Sequence, residues 1–331
     1  MSYLLLVGGL LLLAGGGEAL IRGAVALAAR LGISPVFVGL TVVAIGTSMP
    51  ELTVAINAAL AGTPDIAVGS VIGSNISNIL LVLAATALVQ PIVVDPRMVF
   101  RDGLFLLAGS FGVAMVALTG AITAGQGTAM IVLLLLYLGF SYWAEVVRNA
   151  PSAERREAEV EEYKGIPPKF LYAIPAILIG LVGVIQGADF LVQGASEIAR
   201  SFGVSEAVIG LSLVAVGTSL PELAVSILAA YRGHSGVAVG NIIGSNISNL
   251  LLILGVTGAL GGAVGAVPVA EQIARYDVWV MVAATAVMVP VMVTGLRISR
   301  AEGALFLTAY GLYIVSIYTG IPAWVIGVLY G

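Results

Sequence analysis

The sequence predicts an all-α polytopic membrane protein of about ten transmembrane helices, arranged as two inverted five-helix repeats. Three observations predict it. The chain is 60% hydrophobic and only 10% charged, against roughly 25% charged in an ordinary soluble domain, so its apolar surface has to face lipid. Residues 39–84 recur as 210–255 with 28 identities in 46 positions at an offset of 171, which is an internal duplication. That offset carries five helices, an odd number, so the two copies cross the membrane in opposite directions.

Taken in order, runs near the roughly 20 apolar residues a span needs are read at 3–29, 36–61, 66–90, 101–119, 124–147, 170–200, 207–231, 236–262, 275–295 and 301–320. The breaks fall on turn formers and charges: Gly62-Thr63-Pro64-Asp65, Gln90-Pro91, Asp95-Pro96-Arg97, Gly120 to Gly127 and Gly233 to Gly236. The first run, Tyr3–Ala14, has no positive flank before it and continues into Gly15–Ala29. It reads as a transmembrane helix and not as a cleaved signal peptide. The tail Ile321–Gly331 either extends the last helix or lies at the interface.

Residues 1–150 make the first five-helix repeat and 170–331 the second. Between them, 151–169 is a solvated linker carrying Glu154, Arg155, Arg156, Glu157, Glu159, Glu161, Glu162 and Lys164, too short to hold a folded regulatory domain. With this linker cytoplasmic, twelve of the 14 Lys and Arg residues fall at cytoplasmic ends; only Arg200 and Arg275 do not. The bias puts both termini outside, and the short linker and lack of targeting signals suggest a multi-pass protein of a prokaryotic plasma membrane. The absence of cysteine excludes disulfides and thiolate metal sites, and a net charge of −4 without a basic cluster excludes a nucleic-acid footprint.

The duplicated stretch is built around two phrases. Gly46-Thr47-Ser48-Met49-Pro50-Glu51 returns as Gly217-Thr218-Ser219-Leu220-Pro221-Glu222, and Gly73-Ser74-Asn75-Ile76-Ser77-Asn78 returns as Gly244-Ser245-Asn246-Ile247-Ser248-Asn249. The spacing from Glu to the final Asn is 27 in both copies. Thr47 and Glu51 stand at i,i+4, and so do Ser74 and Asn78, which places each pair on one helix face. Pro50 and Pro221 lack an N–H and clash with the carbonyl four residues back, so each helix should bend or break beside its glutamate. Carbonyls freed at bilayer depth are tolerated only inside protein or along a polar cavity.

Inverting one copy onto the other brings Glu51 and Glu222 together among Thr and Ser hydroxyls, Asn amides and unwound carbonyls. Oxygen donors without His or Cys suit hard cations such as Ca²⁺ or Na⁺ and not Zn²⁺ or copper. Two carboxylates balance one Ca²⁺, or two Na⁺ with further monovalent sites nearby. A charge near the bilayer centre costs about 2.5–3.5 kcal/mol on the milder insertion scale, so two of them need a functional reason. Inverted repeats with broken helices are the architecture of secondary transporters, with the substrate near the midplane.

These doubled phrases resemble the α-repeats of the calcium/cation antiporter superfamily, and most closely its sodium/calcium exchanger branch. The resemblance covers nearly the whole chain. It implies ten helices, of which the second, third, seventh and eighth form a core and the first and sixth slide past it. It implies that Glu51 and Glu222 are carboxylates shared by Ca²⁺ and Na⁺, and that Thr47 and Thr218 give carbonyl oxygens to Ca²⁺. Ser48, Ser74, Ser219 and Ser245 would serve Na⁺ with backbone help from Ala44 and Ala215, and Asn78 and Asn249 would line the centre. Some relatives, including potassium-dependent ones, carry Asp in place of Asn249; two acids alone argue against K⁺ co-transport.

The leading reading is therefore an electrogenic Na⁺/Ca²⁺ antiporter working by alternating access, with the ions and the lipid bilayer as partners, no cofactor and no protein partner. The alternative of the same fold couples Ca²⁺ to H⁺, since carboxylates buried near each other can carry protons. An intramembrane aspartyl protease would need two facing Asp residues where this chain offers Asp189 alone in an apolar setting; a passive channel would not need a broken-helix site. Outside the motifs, Glu18 has Arg22 at i+4 and reads as a locally paired charge, with Asp189 at the equivalent place of the second repeat. His234 reads as a loop residue and Glu145 as a helix end. Gly8, Gly9, Gly15, Gly16 and Gly17, with Gly180, Gly183 and Gly187, give the first and sixth helices smooth faces for packing or sliding.

Overall fold

The computed structural model describes residues 1–61, 64–145, 167, 169–203, 217–261 and 265–330. The linker charges from Glu154 to Lys164, together with Ala215 and the first part of the expected seventh helix, lie outside these residues. Helices dominate: α1 Ser2–Leu31, α2 Pro35–Thr47, α3 Met49–Leu60, α4 Ile66–Val89, α5 Val99–Ala117, α6 Ala124–Trp143, α7 Phe170–Ser201, α8 Leu220–Tyr231, α9 Ser235–Gly261, α10 Ile273–Val293, α11 Arg300–Tyr318 and α12 Ile321–Tyr330. Among the described residues eight of these are long and apolar enough to cross a membrane, or nine if the bent pair α2 and α3 is one span. The expected spans agree to within about three residues wherever they are described. The open question of the tail is answered by α12, a separate helix that starts after Gly320 turns at φ 73°.

The chain forms two compact units, one of Met1–Ser48 with Leu138–Gly244 and one of Met49–Tyr137 with Ser245–Gly331. They do not follow the two sequence repeats, because the chain passes between units inside the repeated motifs, after Ser48 and again after Gly244.

In the first unit α1 and α7 pack backbone to backbone. A Cβ on Gly9 would stand 2.8 Å from the Gly187 carbonyl oxygen, one on Gly16 2.7 Å from the Val184 amide, and one on Gly180 2.5 Å from the Leu20 amide. Without a hydrophobic drive between helices in lipid, this closeness is what makes dispersion between them strong. Gly15 faces open space and is not part of the seam. Leu20, Ile21, Ala24, Ile177 and Val184 continue the contact into a core that takes in Val43, Val225, Ala229 and Val237. Gly39 repeats the device between α2 and α9, where a Cβ would lie 2.8 Å from the Val237 carbonyl.

Two polar ties complete this unit. Glu18 pairs with Arg22 at 2.6 Å, as its spacing suggests, and also with Arg232 at 2.9 Å, just past the end of α8. Its pairing is therefore not only local. Glu145 accepts from the backbone N–H of Ser34, the residue that caps α2, so it anchors a helix start rather than merely ending one. His234 lies in the turn between α8 and α9, as expected.

The second unit shows the repeat in its non-motif parts. Two short antiparallel ribbons pair Ile92-Val93 with Ile298-Arg297 and Ala121-Ile122 with Pro268-Val267. Each joins a loop of one repeat to a loop of the other. Two π-helical turns, Val99–Gly103 and Ile273–Asp277, open α5 and α10. Each presents a buried aspartate to a tyrosine: Tyr137 donates to Asp102 at 2.8 Å and Tyr313 donates to Asp277 at 3.0 Å. Asp102 is also held bidentately by Arg101, while Asp277 takes a longer bond from Gln272.

Candidate functional site

In both motifs the serine of the repeated phrase leaves helical geometry just before a helix that carries the glutamate. Ser48 has φ −85° and ψ 8°, and Ser219 has φ −88° and ψ 1°. This is the sparsely populated bridge region, entered alike in the two repeats. The proline explains it: Pro50 and Pro221 cannot continue the preceding ladder but suit the first turn of a new helix. The expected break at Pro50 is therefore present; at Pro221 a helix starts after Ser219, and the stretch before Gly217 lies outside the described residues.

The helix start also gives each carboxylate its setting. Glu51 and Glu222 occupy the first turns of α3 and α8, where the unsatisfied N–H groups of a helix start favour negative charge. Both are buried, at 2% and 1% relative exposure, so their charge meets protein groups and not bulk water. A buried carboxylate tolerates this only with compensating donors or a cation.

Within the first unit lie Ala44, Thr47, Ser48, Thr218, Ser219 and Glu222. Ala44, Thr47, Ser48 and Ser219 are buried, and Thr218 is half-buried. The Ser48 hydroxyl donates to Glu222 Oε1 at 3.1 Å, joining the end of α2 to the start of α8. The Ala44 carbonyl accepts from the Ser48 amide at 3.1 Å and stands 3.3 Å from Thr47 Oγ1. Ser219 Oγ is buried with no hydrogen-bond partner among the described residues.

Within the second unit lie Glu51, Ser74, Asn78, Ser245 and Asn249, all buried. The helix that carries Glu51 packs against the first part of α4 and against the part of α9 that follows Asn249. Asn78 and Asn249 each begin a π-helical turn, Asn78–Leu83 and Asn249–Ile253. Such turns interrupt the regular ladder and recur at functional sites. Asn78 Oδ1 and both amide atoms of Asn249 are buried without a hydrogen-bond partner among the described residues. Buried amides of this kind are rare unless another ligand completes them.

Sequence reasoning placed eleven of its twelve site residues where the structure describes them, six in one unit and five in the other. The twelfth, Ala215, is outside the described residues. It missed the π-helical turns, which nothing in the composition announces, and it missed Asn241. That residue is fully buried in the first unit, where its amide accepts from Thr47 Oγ1 and donates to Ser226 Oγ. The signal was available: Asn241 stands four and eight residues before Ser245 and Asn249, on the same helix face.

Comparison with known proteins follows this geometry. The family described as sodium/calcium exchanger protein matches residues 1–143 and 172–319. The sodium/calcium exchanger MaX1 of Methanosarcina acetivorans is 30% identical over 96% of this chain and 99% of its own. Inner membrane protein YrbG of Escherichia coli is 38% identical over 77% of this chain and 78% of its own. Among solved structures, the sodium-calcium exchanger NCX_Mj soaked with Na⁺ and Ca²⁺ aligns with a TM-score of 0.78 at 32% identity, over 96% of this chain and 97% of that one. A family match over nearly the whole length, with the doubled motifs inside it, makes this chain a member of the sodium/calcium exchanger family.

Proposed function

We propose that the chain is a secondary antiporter that exchanges Na⁺ for Ca²⁺ across a plasma membrane by alternating access. The observation that carries this reading is the chemistry around the two motif glutamates. Each motif presents one buried glutamate at a helix start, the Ser48 hydroxyl bonds the Glu222 carboxylate, and the other site residues offer hydroxyl, amide and carbonyl oxygens. That donor set fits hard cations such as Ca²⁺ and Na⁺ and gives a divalent negative charge for one Ca²⁺. In this reading Glu51 and Glu222 are the carboxylates both ions use. Thr47 and Thr218 give carbonyl oxygens, and Ser48, Ser74, Ser219, Ser245, Ala44 and Ala215 serve Na⁺. Asn78 and Asn249 line the centre.

Oxygen donors beyond the two carboxylates favour Na⁺ over H⁺ as the coupling ion, since a proton needs no such cage. The names of MaX1 and NCX_Mj agree with that choice. Ca²⁺ and Na⁺ compete for the same glutamates, and filling the site with either neutralises a charge that otherwise opposes movement through a low-dielectric interior. Exchange follows when the two access states bind the ions with different affinity. The two repeats, 1–150 and 170–331, run in opposite directions through the membrane, with the linker 151–169 cytoplasmic and both termini outside.

The test is reconstitution in liposomes, with radiolabelled Ca²⁺ uptake followed under an outward Na⁺ gradient and, separately, under a pH gradient. Uptake driven by Na⁺ and lost in Glu51→Gln and Glu222→Gln supports the reading. Uptake driven only by the pH gradient moves the protein to Ca²⁺/H⁺ exchange, and no uptake under either gradient removes Ca²⁺ as the substrate.

A further inference from the structure

We infer that Asn241 is a positioning residue for the ion site, holding the broken end of α2 in register with the helix that carries Glu222. The inference rests on the reading of Glu222 as an ion ligand. Its amide has two chemically different ends, and each is used. Oδ1 accepts from Thr47 Oγ1 at 3.2 Å and Nδ2 donates to Ser226 Oγ at 3.1 Å. Thr47 is the last residue of α2 before the break, and Ser226 is one turn beyond Glu222 on α8. All four side chains belong to the same compact unit, and Asn241, Thr47 and Ser226 are each at 0% exposure.

The bridge runs beside the direct bond from Ser48 to Glu222 Oε1. The two differ in what an ion does to them. A cation that takes Glu222 Oε1 competes for the oxygen that Ser48 uses. No atom of the Asn241 bridge is such an oxygen, so the bridge persists when the site is filled. It therefore fixes where the Thr47–Ser48 turn stands relative to the carboxylate in both loaded and unloaded protein. Residues that hold a ligand in place commonly matter to affinity nearly as much as the ligand does.

The amide and its serine acceptor occur in the second repeat and not at the equivalent places of the first. At an offset of 171, the places of Asn241 and Ser226 are taken by Ser70 and Ala55. A serine has one hydroxyl on a shorter arm where the amide has separate donor and acceptor ends, and alanine has no acceptor at all.

The test is Ca²⁺ binding to purified full-length protein in Na⁺-free detergent solution, measured together with ion-free thermal stability. Asn241→Leu, close in size but without either polar end, should weaken Ca²⁺ binding about tenfold, the lower end of what supporting hydrogen bonds to metal ligands contribute. Thr47→Val should do the same, and the double variant should bind no more weakly than either single one. A role in helix packing alone would lower the melting temperature and leave the Ca²⁺ affinity unchanged; that result, or additive losses in the double variant, overturns the inference. If Asn241→Leu does not yield monodisperse protein, Asn241→Ser, which installs the residue found at position 70, decides by the same criteria. Wild-type protein that binds Ca²⁺ without exchanging it for Na⁺ overturns the proposed exchange but not this inference, and wild-type protein that binds no Ca²⁺ overturns both.

Discussion

The hydroxyl of Ser48 donates to Glu222 Oε1 at 3.1 Å, so the residue at the break in one motif is bound to the carboxylate of the other motif, 174 positions away. This bond supplies one of the donors a buried carboxylate needs. In the proposed reading an arriving cation takes that oxygen, and the hydroxyl turns its lone pair to the ion. Ser48→Ala removes both roles. A single hydrogen bond is worth about 0.5–1.5 kcal/mol net, or roughly a two- to tenfold change in affinity. We expect half-saturating Na⁺ to rise within that range in liposome exchange. Half-saturating Ca²⁺, which leans on the carboxylates, should change less. Equal weakening of both ions would remove Ser48 from the Na⁺ ligands.

The glutamates themselves make a prediction about stability as well as transport. Two buried carboxylates without a cation are costly, and Gln keeps their shape without the charge. Glu51→Gln and Glu222→Gln should each raise the melting temperature of ion-free protein in detergent. Each should also abolish the rise that saturating Ca²⁺ gives the wild type, because only a bound ion shifts the equilibrium toward the folded state. A scanning-fluorimetry titration checks it. A glutamine variant that is still stabilised by Ca²⁺ to the wild-type extent would exclude that residue as a ligand.

How much of this was legible beforehand follows from what a sequence pattern encodes. Composition and spacing fix which stretches can sit in lipid, and Pro50 beside Glu51 fixes the break; both are local properties and both are found in the structure. The π-helical turns at Asn78 and Asn249 add one residue to a helical turn without altering its composition, so periodicity is blind to them. The second partner of Glu18 is Arg232, 214 residues away, and Asp102 meets Tyr137 only after α5 and α6 have packed. Such pairs are chosen by tertiary packing. Asn241 falls between these cases: its helix face was readable, but its partners on α2 and α8 were not.

The seam between α1 and α7 gives a prediction that separates packing from binding. A Cβ on Gly180 would meet the backbone of Leu20, which cannot move aside as a side chain tip could, whereas one on Gly183 would stand 3.1 Å from the Cα of Gly16. Overpacking of this kind typically costs about 1–3 kcal/mol. Gly180→Val should therefore lower the melting temperature markedly, and Gly15→Ala, which meets nothing within 4 Å, should not. If α1 and α7 also slide during transport, Gly183→Leu should slow exchange and leave equilibrium Ca²⁺ binding intact. Parallel loss of rate and binding in that variant would make the seam purely structural.

The last prediction concerns the two aspartates that no ion reading uses. Asp102 is fully buried, and its charge is matched by Arg101 at 2.6 and 2.9 Å and by the Tyr137 hydroxyl at 2.8 Å. Asp102→Ala removes a fully buried carboxylate and the three hydrogen bonds that end on it, each worth about 1.5–3 kcal/mol where a charged group is involved. Asp102→Ala should accordingly be among the most destabilising single changes in the second unit. Tyr137→Phe deletes one donor and leaves the ion pair, so it should cost only about 1–2 kcal/mol. Asp277 has Tyr313 and Gln272 where Asp102 has Tyr137 and Arg101, so Asp277→Asn, which keeps the shape and one acceptor oxygen, should be much milder than Asp102→Ala. Melting temperatures of the three variants test the order, and a loss for Asp277→Asn as large as for Asp102→Ala would show that the arginine is not what makes Asp102 indispensable.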